Sequence, residues 1–267
     1  MQVICIDSTL ATQVLAIART AGEAIMRIQL QMRSGSQVLL AHKADSSPLT
    51  QADLQAHQLV SRALAALTPG VPVVSEEDTQ NQTQRCTAAE FWLIDPLDGT
   101  KEFLAQSDEF TVNIALVRQG EPVFGVVLAP ALAQAYWGGR GLGAFRHSAG
   151  QTQPIHVAGA RTVGQLLRVV ASKSHMNNPT VEFIAKLGAH ELIQAGSSLK
   201  FCRIAEGAAD IYPRLGPTCE WDTAAAQAIV EAAGGHVTQL DGQALRYGKP
   251  DVLNPFFVAS ASATAVP

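Results

Sequence analysis

Residues 91–100 read FWLIDPLDGT, and this stretch restricts the fold of the chain more than any other. The apolar run 91–94 is a short buried strand that ends abruptly at Asp95. Pro96 has no N–H, so it ends the ladder and turns the chain. Asp98 then returns three residues after Asp95. Two unpaired carboxylates this close repel and raise one pKa. A divalent cation between them removes that conflict. With no His or Cys in the motif, hard oxygen ligands select Mg²⁺, Mn²⁺ or Ca²⁺ over zinc. Gly99 gives the backbone room for close approach. Gly99 and Thr100 open a short helix whose free N–H groups favour an anion such as phosphate. Carboxylates for metal beside amides for phosphate indicate metal-assisted phosphate chemistry. The simpler alternative is a turn in which both Asp side chains only cap backbone N–H groups.

The rest of the chain supplies layers around that strand. Leu10, Val14, Ile17, Ala21, Ile25 and Ile28 recur at helical spacing, with Ser8 or Thr9 as the expected cap. A second helix starts near Thr50, where Thr50 and Asp53 have the spacing of a capping box. Short strands follow at 71–74 and 91–94, then at 110–118 and 123–128, where QGEP signals a hairpin. After residue 150 strands and helices alternate, and the helix from WDTAAAQAIVEAAGG has Asp222 as its expected cap and Gly234–Gly235 as its stop. A chain of 267 residues with 47% hydrophobic and 16% charged residues builds its core without disulfides or structural metal. The cysteines Cys5, Cys86, Cys202 and Cys219 have no C-x-x-C or zinc spacing and read as reduced thiols. A net charge of −4 argues against binding a nucleic-acid polymer. The uncharged stretch 122–139 is broken by Pro130 and Gln134, so it reads as a strand pair and not a membrane span. With no Lys or Arg before Arg19, the start lacks the charge of a signal peptide, and the cytoplasm is the expected setting.

Four polar clusters sit where one expected element meets the next: Asp53, Glu76–Glu77, the 95–100 string and Asp222. Singly, a run of acids after a strand is a solvated turn, and Asp53 and Asp222 are caps; their weight comes from occurring together. With KADSSPLTQAD, VPVVSEED, FTVNIALV, GSSLKFC, AEGAADIYPR and WDTAA, they make the chain resemble the inositol monophosphatase superfamily of Mg²⁺-dependent, lithium-sensitive phosphatases. The resemblance covers nearly the whole chain and is greatest to the bacterial 3'(2'),5'-bisphosphate nucleotidase branch. It implies a layered αβαβα sandwich of the sugar-phosphatase type. Residues 1–153 would be an α+β domain with an antiparallel sheet and most metal ligands. Residues 154–267 would be an α/β domain with the substrate-binding residues and the last metal ligand.

By the same resemblance Glu76, Asp95 and the Leu97 carbonyl would hold one Mg²⁺, and Asp95, Asp98 and Asp222 a second. Asp53 matches the place of a third, weaker metal or of water activation. Asp53, Glu76 and Thr100 would be catalytic, with Glu76 and the Thr100 hydroxyl orienting a metal-bound water for in-line attack on phosphorus. Glu76, Leu97, Asp98, Gly99, Thr100 and Asp222 would surround the scissile phosphate. Ser197, Lys200 and Arg214 would take the 5'-phosphate of adenosine 3',5'-bisphosphate, since a second phosphate needs a second anion site. His175 would approach the adenine. The implied products are AMP and phosphate, with the sulfated precursor PAPS a further substrate giving APS. The implied role is recycling a by-product of sulfate activation. The expected partner is therefore a small phosphorylated nucleotide, with the chain a monomer or homodimer and peripheral contact with the inner membrane face open. An inositol or other sugar-phosphate phosphatase on the same scaffold stays open as the alternative. A haloacid-dehalogenase-type phosphatase would need one residue between the acids, where this chain has two. A non-catalytic binding module would need a ligand missing, and every expected ligand is present.

Overall fold

A computed structural model describes residues 3–35, 40–42, 48–162, 164–172 and 176–263. The order begins α1 (Ser8–Arg33), β1 (Leu40–His42), β2 (Pro48–Thr50), α2 (Gln51–Leu67), β3 (Val73–Ser75), β4 (Glu90–Asp98), α3 (Thr100–Leu104), β5 (Thr111–Arg118) and β6 (Glu121–Ala129). It continues β7 (Gln134–Gly139), β8 (Gly143–Ser148), β9 (Gln151–Ile155), β10 (Leu167–Ser172), α4 (Asn178–Lys186), β11 (His190–Ala195) and α5 (Leu199–Ala205). It closes with β12 (Ile211–Arg214), α6 (Glu220–Ala232), β13 (His236–Gln239) and β14 (Phe257–Ser260).

Strands β3 to β9 form a seven-stranded sheet in sequence order, antiparallel except for the β3–β4 pair. The second sheet has the order β11-β10-β12-β14-β13, in which β14 runs antiparallel to both its neighbours. Side-chain alternation sorts the layers. Trp92 and Ile94 of β4 pack under α1 and α2, while Phe91 and Leu93 face α5 and α6. On the second sheet Tyr212, Phe257 and Ala259 join that same middle layer, and Ile211 and Val258 face Ile184 of α4. The result is the expected αβαβα sandwich. Strands buried on both faces read as continuous apolar runs, and each fully buried large side chain contributes roughly 1.5–3 kcal/mol.

Several local expectations need correction. The cap of α1 is Asp7, whose side chain accepts from Leu10 N, and not Ser8 or Thr9. Strand β4 does not stop at Pro96; its pairing with β5 resumes at Asp98. In QGEP the turn is Gln119–Gly120, at φ +52° and +76°, a primed hairpin geometry, and Glu121 and Pro122 already belong to β6. The cap of α6 is Cys219, with Asp222 at the third helical position. The capping box at Thr50 and Asp53 and the strand pair over 122–139 are as expected. Among the described residues no helix is long and apolar enough to cross a membrane. The four cysteines are free thiols.

Candidate active site

A β-bulge builds the acid cluster. Asp95 pairs with Asn113 and Asp98 with Thr111, so β4 advances three residues while β5 advances two. In a regular strand, residues three apart face opposite sides of the sheet. The extra residue reverses the alternation. Leu97 is therefore buried with the α1/α2 layer, and Asp98 returns to the α5/α6 side where Phe91 and Leu93 lie. The Asp95 carboxylate accepts from Leu97 N at 3.0 Å, which holds the bulge closed. Glu76 follows β3, and its N–H donates to Ile94 O at 3.1 Å, which sets it beside Asp95 at the same sheet end.

Asp222 arrives from the other half of the chain. Helix α6 can lie on β6 because position 125 is glycine: a Cβ there would sit 2.1 Å from Ala225 O. The Asp222 Oδ2 accepts from Cys219 N at 2.8 Å. One carboxylate oxygen from each of Glu76, Asp95 and Asp222 lies within 4.8 Å of the others. Burial, then the charges of Asp98 and Glu76, push the Asp222 carboxyl up to about 8. Converging acids that destabilise one another's charge are a donor set matched to a hard divalent cation.

Asp98 stands outside that trio but next to it. Its Oδ2 accepts from Ser198 Oγ at 2.8 Å and from Thr111 Oγ1 at 3.3 Å, and Ser198 also accepts from Asn113 Nδ2 at 2.8 Å. Thr111, Asn113 and Ser198 stand in the FTVNIALV and GSSLKFC strings, but only the tertiary contacts give them this task. Asp53 is buried. Its Oδ2 accepts from the N–H and hydroxyl of Thr50 at 2.7 and 2.6 Å, and its Oδ1 from Thr100 Oγ1 at 3.2 Å. The Thr100 hydroxyl has a second acceptor, Leu97 O, at 3.3 Å. Gly99 sits at φ +93° as the cap of α3, and a Cβ on it would meet Ser197 Oγ at 2.3 Å.

A cleft of about 210 Å³ opens beside these acids, and its wall includes Asp98, Gly99, Thr100, Lys200, Arg214 and Asp222. Lys200 is only 7% exposed and makes no hydrogen bond among the described residues; its Nζ lies 5.8 Å from the Tyr212 ring centroid. Burial lowers its pKa to about 8, against the raising effect of Asp98 and with Arg214 lowering it further. Arg214 donates from Nη2 to Pro217 O at 2.9 Å, and its buried Nε has no partner. Ser197 differs from its expected part. It lies before the Ser198 cap of α5, at φ +45°, and its hydroxyl faces the carbonyls of Asp98 and Glu109, both at 2.9 Å. Its one proton is thus held by backbone, and it locks the Asp98–Gly99 corner. Ser172, Tyr212 and Thr218 also line the cleft and were not singled out by sequence reasoning. His175 lies outside the described residues.

Comparison with known proteins places this geometry. The inositol monophosphatase family profile matches residues 2–265. The chain is 46% identical over 247 residues to the 3'(2'),5'-bisphosphate nucleotidase CysQ of Salmonella typhimurium, covering 92% of this chain and 97% of that one. It is 45% identical to the CysQ of Escherichia coli K12, covering 93% and 98%. The crystal structure of CysQ from Bacteroides thetaiotaomicron superposes with a TM-score of 0.83 at 39% identity, covering 95% of this chain and 98% of that one. Over nearly its full length, and in its fold, the chain belongs to the inositol monophosphatase family.

Proposed function

We infer that this chain is a 3'(2'),5'-bisphosphate nucleotidase that removes the 3'-phosphate of adenosine 3',5'-bisphosphate, leaving AMP and inorganic phosphate, with PAPS a second substrate. One observation carries the reading: Asp98 and Asp222, the latter part of the acid cluster, line a single cleft with a buried, unbonded Lys200 and with Arg214, which supports one metal-dependent phosphate site and one separate anion site. The substrate of a sugar-phosphate phosphatase, the alternative, offers hydroxyls at that second position, which do not call for the charges of Lys200 and Arg214.

Glu76, Asp95 and the Leu97 carbonyl are proposed to hold one Mg²⁺, and Asp95, Asp98 and Asp222 a second. When bound, the cations neutralise the acids, lower the pKa of water and stabilise charge on the reacting phosphate oxygens. The protein's own part is proton handling and orientation. Thr100 Oγ1 donates to Asp53 Oδ1, which turns a Thr100 lone pair outward to accept a proton from the attacking water. As that O–H bond breaks and the O–P bond forms, the Thr100 proton passes to Asp53. The P–O3' bond breaks, and the leaving oxygen takes a proton from solvent. Glu76 aligns the water, and the N–H groups of Gly99 and Thr100 steady the phosphate. Lys200 and Arg214 pair with the 5'-phosphate. Residues 1–153 and 154–267 are proposed as the two domains that meet at this cleft.

The test compares two substrates. Lys200→Ala with Arg214→Ala raises KM for the bisphosphate far more than for a simple phosphate monoester in Mg²⁺. Equal losses on both substrates overturn the assignment.

A further inference from the structure

Behind the acid cluster lies a buried ionic network that the reaction itself does not use. Glu220, the first residue of α6, is fully buried, and Arg85 is 5% exposed. Glu220 Oε1 accepts from Lys249 N at 2.9 Å and from Lys249 Nζ at 2.6 Å. Its Oε2 accepts from Gly248 N at 2.9 Å and pairs with Arg85 Nε at 3.4 Å. Arg85 also donates to Pro250 O at 3.2 Å and to Gln82 O. Gln82 in turn donates from Nε2 to the backbone oxygen of Glu76 at 3.1 Å. The network therefore begins at the backbone of Glu76 and ends two residues before Asp222, whose carboxylates lie within 4.8 Å of each other.

The bonding pattern explains why charge is kept there. A buried ion pair is seldom more stabilising than well-packed apolar groups, so burial alone is a poor reason for it. Directional bonds from two backbone N–H groups and the Lys249 ammonium, with the Arg85 guanidinium alongside at ion-pair distance, fix the first turn of α6 in angle and depth, which apolar contact does not. The acid cluster needs that restraint, because carboxylates of Glu76 and Asp222 within 4.8 Å of each other repel. We propose that Glu220 and Arg85 are positioning residues that hold Glu76 and Asp222 at the separation a divalent cation requires. The inference rests on the reading that these acids bind such a cation.

The experiment titrates the full-length protein with Mn²⁺ alone, without substrate, and follows free Mn²⁺ by electron paramagnetic resonance. Glu220→Gln and Arg85→Met are each expected to raise the Mn²⁺ dissociation constant by about tenfold, the effect of losing an outer partner of a metal ligand. Arg118→Met, which breaks the 2.6 Å pair with Glu90 at the far end of β4, is the control and leaves Mn²⁺ affinity unchanged while lowering Tm. If Glu220→Gln does not fold, Arg85→Met decides. A lower Tm with unchanged Mn²⁺ affinity in the folded variants makes the network merely structural and overturns the inference. A wild-type protein that binds no Mn²⁺ overturns the acid-site reading and this inference with it.

Discussion

The two ends of the cleft are built differently. At the acid end Asp95, Asp98 and Asp222 each have one carboxylate oxygen held by a donor, from Leu97 N, Ser198 and Cys219 N, and Asp53 has both held, by Thr50 and Thr100. At the cationic end Lys200 Nζ has no hydrogen bond, and Arg214 Nε is buried without one. The acid end is held by backbone and hydroxyl donors from the chain itself. The cationic end leaves the buried Arg214 Nε unsatisfied, a cost of about 1–3 kcal/mol that an anion bound there as proposed would remove. On the proposed assignment, catalytic positioning and substrate selection lie at opposite ends of the cleft, and they should respond to mutation differently.

The sharpest way to break this contrast is Asp95→Asn, which removes a charge from the middle of the acid cluster. Activity should fall on every phosphate ester alike, by more than the roughly 10–100-fold that loss of an outer partner costs. Retained activity on a monoester would place the chemistry elsewhere. A smaller, selective effect is expected from pH. Lys200 loses its proton above about 8 rather than in the usual lysine range, because burial disfavours the ammonium. kcat/KM for the bisphosphate should therefore fall as pH rises through that value, by up to about tenfold per pH unit. Cations that neutralise Asp98 and Asp222 remove part of what holds the proton and move the fall to lower pH. Lys200→Arg, permanently charged, should flatten the profile, and the monoester profile should not change. The smallest effect is Ser198→Ala, which takes one donor from Asp98 but leaves Thr111 in place. The Mg²⁺ concentration for half-maximal activity should rise by about tenfold, with KM for the bisphosphate unchanged. A change in KM instead would tie Ser198 to the cationic end.

Local signals were legible where one residue type has one local use. The Thr50–Asp53 capping box needs only its own turn, and both of its bonds are present. The α1 cap differs from expectation because Asp7 is as good an acceptor as Ser8 and a better one than Thr9, and local sequence does not say which of adjacent acceptors caps. Pro96 by itself reads as a strand end. A bulge lets the strand continue past a residue that cannot donate, and pairing one strand away decides whether it does. Asp222 was seen as an acid at a helix start, but nothing nearby in the chain announces Cys219 as the cap.

The sequence alone determined which chemistry was available: hard oxygen ligands grouped in short strings, a strand that carries two of them, and two cations after a serine pair. Those facts depend on residue type and short spacing. Only the tertiary structure decided that Asp98 turns to the same face as Asp95, that Ser197 spends its proton on backbone, and that Glu76 and Asp222 share one buried network. The reason is physical. Bulge register, the depth at which α6 sits on β6, and buried ion pairs are set by contacts between residues far apart in the chain, and no local pattern records them.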